Sequence, residues 1–113
     1  MAAAHFKLAN LTVFLDRNGF SLDGPTEEVM GVEPLQQKWE SFGWRVLLID
    51  GHDFDAICEA IETAQAEKDR PVLVLAKTVK GKGVDFMENK TAWHYGGLDD
   101  ATKAKAIESI RRA

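Results

Sequence analysis

The stretch "PVLVLA", residues 71–76, indicates the fold more clearly than any other part of the sequence. It is short, continuously apolar and rich in Val and Leu, which is typical of a strand covered on both faces. Two similar runs precede it, "LTVFL" at residues 11–15 and "WRVLLI" at residues 44–49. Because none of the runs alternates cleanly between apolar and polar residues, we expect three strands of a parallel sheet, each covered on both faces.

Helical patterns separate these runs. The segment "EPLQQKWESFG" spaces Leu35, Trp39 and Phe42 by four and three residues, and Gly43 follows them. This spacing predicts a helix that stops at the glycine. The segment "DFDAICEAIETAQAEKD" predicts a second helix with Asp53 as its N-cap. The apolar face expected for this second helix consists of Phe54, Ile57, Ala60, Ile61 and Ala64.

A last helix is predicted within "DDATKAKAIESIRR", beginning at Asp99 or Asp100 and ending in basic residues that suit the helix dipole. Alternating strands and helices specify an α/β fold, here an open parallel three-stranded sheet with flanking helices and right-handed crossovers. Two polar, glycine-bearing loops, at about residues 16–32 and 77–98, then leave the carboxyl ends of the first and third strands. Ligands bind at that edge of open parallel sheets, so we expect a site there.

The predicted sheet has too few strands to stand alone. Three parallel strands leave two edges unpaired, which makes a poor independent unit. The first residues, "MAAAHFKLAN", read like the end of a helix rather than the start of a domain. We therefore expect residues 1–113 to form a single partial domain whose sheet is completed by missing chain, a partner or a second copy.

Composition and charge exclude several classes of protein. The net charge of −4, without a basic stripe, argues against a nucleic-acid-binding protein. No apolar run approaches the ~20 residues needed to cross a bilayer. The N-terminus lacks the basic and long apolar regions of a secretion signal, so we expect a cytoplasmic protein without membrane contact. The single cysteine, Cys58, fits a reducing compartment and is predicted to be a buried or half-buried apolar residue.

Three segments contain residues suited to chemistry, and each also has a purely structural interpretation. "LDRNGFSLDG", residues 15–24, is either a polar turn or a cation site that uses the Asn18 amide oxygen and a nearby main-chain carbonyl. "AKTVKGKG", residues 76–83, is either a solvated turn or a loop that approaches an anion closely. "TAWHYGG", residues 91–97, contains either a packed loop histidine or an imidazole placed for proton transfer on a shielded rim.

Taken together, these segments resemble transketolase, specifically the later half of its pyrophosphate-side, thiamine-diphosphate-binding domain. "KLANLTVFLDRNGFSLDGPTEEVM" is similar to the family's K-L-x-N-L strand followed by D-x-N-x-x-x-x-D-G. "WESFGWRVLLIDGHD" resembles its F-G-W and D-G-H segment. "AKTVKGKGVDFMENKTAWHYG" resembles its A-K-T-x-K-G-x-G and W-H-G loops. The similarity runs in order from about residue 4 to residue 98 and is strongest to forms split into two subunits. Deoxyxylulose-phosphate synthase, which shares D-G-H-D and a similar lysine-glycine loop, is the nearest alternative.

The resemblance implies a set of site residues. Asn18 matches the Asn that closes the family's thiamine diphosphate motif, whose side chain binds the metal, Mg²⁺ or Ca²⁺. Phe20 matches the position whose main-chain carbonyl is a further metal ligand. Lys80 matches a position that contacts the cofactor. His94 matches the histidine at the diphosphate and substrate end of the channel, which gives it both a cofactor-binding and a catalytic role. Asp16 is not expected to be the acidic ligand, because the family's metal-binding Asp belongs to G-D-G.

The sequence also departs from the family. It lacks G-D-G and the pyrimidine-side domain, and "YGG" stands where a single Gly usually follows the histidine. The resemblance thus implies part of a two-carbon ketol transferase acting on sugar phosphates, inactive alone and completed by a complementing transketolase chain or a homo-oligomer. Two alternatives are a non-catalytic structural or dimerisation module that reuses the sheet, and a stand-alone anion or nucleotide binder that needs no Mg²⁺.

Overall fold

The computed structural model describes residues 1–112 and contains the predicted three-stranded parallel sheet. Its strands are β1 (Thr12–Arg17), β2 (Arg45–Asp50) and β3 (Val72–Lys77), each displaced by only one or two residues from the apolar runs. The order in the sheet is β1-β3-β2, so the last strand in the chain lies at the centre. The predicted open α/β class with flanking helices is confirmed.

Helices occupy the segments between and around the strands. They are α1 (Ala2–His5), α2 (Thr26–Val29), α3 (Leu35–Ser41), α4 (Phe54–Ala66) and α5 (Asp100–Arg112), with a 3-10 turn at Thr91–Trp93. The sequence predicted α3, α4 and α5, and the helix-like reading of the N-terminus agrees with α1. The short helix α2 and the 3-10 turn lie inside the two segments that were expected to be loops throughout.

The core forms on both faces of β3. On one face, Val72 and Val74 pack with Ala60 and Ala64 of α4. On the other face, Leu73 and Leu75 pack with Trp44, the residue before β2. Partly buried residues of α1 and α3 close this second cluster, namely Ala3, Ala4, Leu35 and Trp39. The central strand is therefore covered by helices on both sides, as its composition predicted.

The edge strands do not follow the same prediction. In β1, Thr12, Phe14 and Asp16 are exposed and alternate with half-buried residues, and the Phe14 side chain is 48% exposed. In β2, Leu48 is 58% exposed. The expectation of strands covered on both faces is therefore right for β3 and wrong for β1 and β2. Helix α4 packs on β3 and on Leu47 and Ile49 of β2, and its cluster does not include Phe14. On the opposite face, the cluster around Trp44 includes Val46 but not Leu48.

Helix α4 confirms its predicted cap but only part of its predicted face. The Asp53 side chain accepts hydrogen bonds from the N–H groups of Asp55 (2.9 Å) and Ala56 (3.2 Å), which is the geometry of an N-cap. Ala60 and Ala64 are buried, whereas Phe54 is 82% exposed. Two alanines one turn apart allow close helix-to-sheet contact, and this narrow stripe leaves the larger Phe54 outside.

Cys58 is exposed, so the prediction of a buried or half-buried thiol is wrong. At about 100° per residue, Cys58 lies about 160° around the helix from Ala60 and about 120° from Ala64. Cys58 therefore lies away from the apolar face predicted for α4, which accounts for its exposure.

The described chain divides into two compact units. Unit 1 contains Met1–Arg17 and Val32–Thr78, and unit 2 contains Asn18–Gly31 and the residues from Val79 onward. The whole sheet lies in unit 1 with α1, α3 and α4, whereas α2 and α5 lie in unit 2. None of the helices formed by residues 1–112 combines the length and apolar character that crossing a membrane requires. The single partial domain expected from the sequence stays a prediction.

Candidate functional site

The two predicted loops leave from adjacent strand ends. Arg17, the last residue of β1, pairs in register with Lys77, the last residue of β3. The Thr78 N–H donates to the Arg17 carbonyl at 3.5 Å, and the Thr78 hydroxyl donates to Asp16 Oδ1. Parallel strands place their carboxyl ends at one edge, which confirms that both segments begin there.

Asn18 is the first residue of a turn in unit 2 that several hydrogen bonds close. Its side-chain oxygen Oδ1 accepts a hydrogen bond from the Phe20 N–H at 2.9 Å. The Gly19 carbonyl accepts from both the N–H (2.9 Å) and the hydroxyl (3.3 Å) of Thr26. Gly19 has a φ of +80°, a conformation that glycine adopts without strain. The structure thus confirms the polar turn, and it brings Asn18 and Phe20 together.

The same turn has oxygen atoms suited to a hard cation. The Asn18 amide oxygen is oriented by the hydrogen bond from the Phe20 N–H. The bridge between Phe20 and Pro25 is closed by hydrogen bonds to the carbonyls of Gly19 and Gly24, and neither bond uses the Phe20 carbonyl. Neutral amide and main-chain oxygens are ligands that Mg²⁺ and Ca²⁺ accept. Within residues 1–112, no group of three His, Cys, Asp or Glu side chains could hold a metal. The turn therefore fits part of a cation's coordination shell.

The lysine-glycine segment folds back on itself rather than extending into solvent. The Asn89 N–H donates to the Lys80 carbonyl at 2.9 Å, which closes a loop between them. Gly81 has a φ of +73°, and a Cβ there would lie 2.8 Å from the Met87 carbonyl oxygen. This crowding requires glycine at position 81.

Lys80 and His94 belong to one cluster of unit 2. The Lys80 ammonium donates to the carbonyl of Trp93, the residue before His94, at 3.0 Å. The Trp93 indole N–H donates to the Phe86 carbonyl at 3.1 Å, and the two rings pack edge to face. His94 itself is exposed. It is neither the packed histidine nor the shielded imidazole expected from the sequence, because packing stops at Trp93.

Sequence reasoning missed the residue that holds this loop to α5. Ser109 is buried, its hydroxyl donates to the Gly83 carbonyl (3.1 Å), and the same hydroxyl accepts from the Asp85 N–H (3.0 Å). A second hydrogen bond joins Glu88 to Gly83 within the loop, since the Glu88 carboxylate accepts from the Gly83 N–H at 3.0 Å. A serine in a polar helix carries no signal of such a role, because its partners are more than twenty residues away in the sequence.

Comparison with known proteins identifies the family of this chain. The family model of the transketolase thiamine diphosphate binding domain matches residues 1–112. The chain belongs to the transketolase family. It is 38% identical to the 6-deoxy-6-sulfo-D-fructose transketolase subunit SqwG of a Clostridium species, over 99% of this chain and 41% of that subunit. It is also 38% identical to one of the subunits of the apulose-4-phosphate transketolase of Phocaeicola vulgatus, over 85% of this chain and 34% of that one.

The fold agrees with a solved transketolase structure. The crystal structure of transketolase from Campylobacter jejuni superposes with a TM-score of 0.88 at 31% sequence identity. The match covers 97% of this chain but 17% of the Campylobacter chain. The chain therefore spans a minor part of the transketolases it resembles.

Proposed function

We propose that this chain supplies part of the thiamine diphosphate and Mg²⁺ site of an enzyme that transfers two-carbon ketol units. The observation that carries the proposal is the Asn18–Phe20 turn, which directly follows β1 in sequence and contains an amide oxygen and a main-chain oxygen, in a chain of this family. When bound, thiamine diphosphate supplies the carbanion chemistry of the transfer, while the protein binds and orients it.

The residues of the turn have a defined task in this proposal. Asn18 Oδ1 and the Phe20 carbonyl bind the cation, with Ca²⁺ as a substitute for Mg²⁺. Both ligands are neutral, so the negative charge around the cation comes from the diphosphate and from residues outside this chain. The Phe20 N–H supports this task because it orients the Asn18 amide from within the turn.

Lys80 and His94 face the anionic groups in this proposal. The Lys80 ammonium is held by the Trp93 carbonyl and contributes positive charge next to the cofactor. The exposed His94 imidazole is accessible to substrate, and an imidazole is a group that can donate or accept a proton. The names of two relatives refer to a sulfonated and a phosphorylated sugar. We therefore propose sugars with a phosphate or sulfonate group as substrates.

A complementing chain or segment completes the enzyme in this proposal. The matched relatives named as subunits are more than twice as long as the part that this chain covers. In unit 1, β1 is an edge strand, and Phe14 on its α4 side is half exposed. A groove of about 380 Å³ lies on unit 1 between the start of β1 and the end of α4. Its lining residues are Ala9, Asn10, Thr12, Ala64, Gln65, Glu67 and Lys68. A further strand with its own helix would cover this surface.

The test is calorimetric titration of thiamine diphosphate into the chain, with and without Mg²⁺, on wild type and on Asn18→Ala. We expect Mg²⁺-dependent binding whose affinity falls at least about tenfold in N18A, since a lost hydrogen-bonding or ionic ligand costs about 1–3 kcal/mol. Gln37→Ala is the matched control, because Gln37 has an exposed amide side chain on α3 in unit 1. Its affinity should equal that of wild type.

Two outcomes would favour the other functions. Binding of inorganic phosphate without Mg²⁺, unaffected by N18A, would indicate a stand-alone anion binder. Self-association without cofactor, abolished by Phe14→Glu and accompanied by no cofactor binding, would indicate a structural module that uses the open edge of β1.

A further inference from the structure

The proposed function leaves Asp16 without a role. Asp16 lies two residues before Asn18, yet the family motif gives it no ligand position, and its side chain is directed to another strand end. We infer that Asp16 and Thr78 form a positioning pair that fixes the start of the cation segment and the start of the lysine-glycine segment. The inference rests on the proposed function only for what those segments bind.

The geometry of the pair is contained in unit 1. Thr78 donates twice to β1, through its hydroxyl to Asp16 Oδ1 and through its N–H to the Arg17 carbonyl at 3.5 Å. The two residues are 62 positions apart in the sequence. The hydrogen bond between the Thr78 and Asp16 side chains holds Thr78 to β1. Thr78 is the first residue after Lys77, where the pairing of β1 with β3 ends.

Chain connectivity passes this restraint to both segments. Asn18 follows Asp16 by two residues, and Lys80 follows Thr78 by two residues. Each segment has only two backbone dihedrals per residue with which to move away from its anchor. A fixed distance between Asp16 and Thr78 therefore restricts where both segments begin.

Gly51, the residue after β2, lies against the Thr78 side chain. A Cβ at Gly51 would lie 2.5 Å from the Thr78 methyl carbon and 3.2 Å from the Lys77 carbonyl oxygen. The Gly51 N–H donates to that same carbonyl at 2.8 Å, so the backbone of Gly51 is held against β3. Glycine at position 51 thus leaves room for the Thr78 side chain that reaches Asp16.

Neutral and shortened variants separate a hydrogen-bonding role from a charge role. Asp16→Asn removes the charge but keeps an Oδ1 acceptor for the Thr78 hydroxyl, whereas Asp16→Ala removes both. Thr78→Ser keeps the donor, and Thr78→Val removes it while keeping the shape. A pair that positions through its hydrogen bond tolerates D16N and T78S. A residue that acts on the cation through its charge tolerates neither D16N nor D16A.

The experiment is amide hydrogen exchange on the full chain without cofactor. The reporters are the Phe20 N–H, bonded to Asn18 Oδ1, and the Asn89 N–H, bonded to the Lys80 carbonyl. We expect D16A and T78V to raise exchange at both amides about fivefold, the factor expected for one lost hydrogen bond. D16N and T78S should match wild type, and so should the Val72 N–H, bonded to the Leu11 carbonyl. Thr63→Val is the matched control for the loss of a threonine hydroxyl.

Wild-type exchange at both reporters in D16A and T78V would overturn the inference, and so would a D16N variant that behaves like D16A. Gly51→Ala should reproduce T78V, and T78S should reverse part of the effect in the G51A chain, because serine lacks the crowded methyl carbon while the contacts of the new Cβ with Ala76 and Lys77 remain. Titration with thiamine diphosphate and Mg²⁺ then tests the proposed function separately. A chain with the expected exchange pattern that does not bind the cofactor would overturn the function and leave the pair in place. In a chain that binds it, unchanged affinity in D16A would overturn the inference.

Discussion

Strands β3 and β1 lie side by side in one sheet, yet their surroundings differ. Every residue from Val72 to Ala76 in β3 is buried, whereas β1 alternates between exposed and half-buried residues. Both strands come from apolar runs of the same kind. The difference arises because β3 has a strand on each side and a helix over each face, while β1 has one neighbour and an open α4 side. Similar composition therefore yields packed positions at the centre and open positions at the edge.

The largest expected difference is between two leucines of the sheet. Leu73 in β3 is 0% exposed and Leu48 in β2 is 58% exposed. We expect Leu73→Ala to lower the free energy of unfolding by about 3 kcal/mol, because it removes buried surface and leaves a cavity. Leu48→Ala should cost less than about 1 kcal/mol. Urea unfolding followed by circular dichroism measures both.

Equal losses in these two variants would contradict the contrast between centre and edge. A large loss in L48A alone would show that the β2 edge is covered in solution, for example by a second copy. Repeating L48A at several protein concentrations would identify that case, since a covered edge makes the stability concentration-dependent.

Two glycines of unit 2 show the same contrast between a crowded position and an open one. Gly81 and Gly19 both have positive φ, but a Cβ at Gly81 would meet the backbone of Met87, whereas a Cβ at Gly19 would meet nothing within 4 Å. We expect Gly19→Ala to cost about 1 kcal/mol from backbone strain. Gly81→Ala should cost about 2 to 3 kcal/mol, because steric overlap adds to the strain. Thermal unfolding of the two variants gives the difference, and equal values would contradict the crowding at Gly81.

Much of the fold could be predicted from local sequence. The three strands, the helices α3, α4 and α5, and the Asp53 cap follow from short patterns whose causes lie within a few residues. The exposure of Phe14, Leu48 and Cys58 could not be predicted in this way. It depends on which strand lies at the centre of the sheet and where α4 packs, and both are set by contacts between distant segments.

The candidate site, too, could be predicted only where the cause of a feature lies nearby in the sequence. The turn at Asn18 could be predicted, since Asn and Gly after a strand are turn formers. The hydrogen bonds from Thr78 to Asp16 and from Ser109 to Gly83 could not be predicted, because each joins residues that are far apart in the sequence. The exposure of His94 also depends on tertiary packing, which ends at Trp93.

Two aspartates at the start of α4 give a smaller contrast between bonded and open positions. Asp53 accepts two backbone hydrogen bonds as the N-cap, whereas Asp55 is an exposed residue of the first turn. Asp53→Ala should lower the free energy of unfolding by about 1 kcal/mol, and Asp55→Ala should lower it by about 0.3 kcal/mol. Chemical denaturation compares them, and a larger loss in D55A would contradict the assignment of the cap.

The smallest expected effect concerns acid stability at the β2 edge. The Asp69 N–H and the Arg45 guanidinium, which lies 3.1 Å from the carboxylate, hold the pKa of Glu67 below its usual range. The resulting stabilisation is present above the unfolded-state pKa, which is near 4.5. It is lost as the pH falls through the lower, folded-state value. Glu67→Gln should therefore flatten the fall in melting temperature on the acid side of pH 4.5. Glu62→Gln, at an exposed position of α4, is the matched control for replacing a carboxylate by an amide.

The central claim is that this chain contains a working part of a thiamine diphosphate and Mg²⁺ site that other residues complete. The most direct measurement grafts residues 1–112 into the matching segment of Campylobacter jejuni transketolase, where the two chains superpose with a TM-score of 0.88. The graft is then assayed for ketol transfer as Mg²⁺ is varied. We predict an active graft whose Mg²⁺ requirement rises in N18A but not in Q37A. A graft that folds and assembles like the Campylobacter enzyme but binds no thiamine diphosphate would contradict the claim.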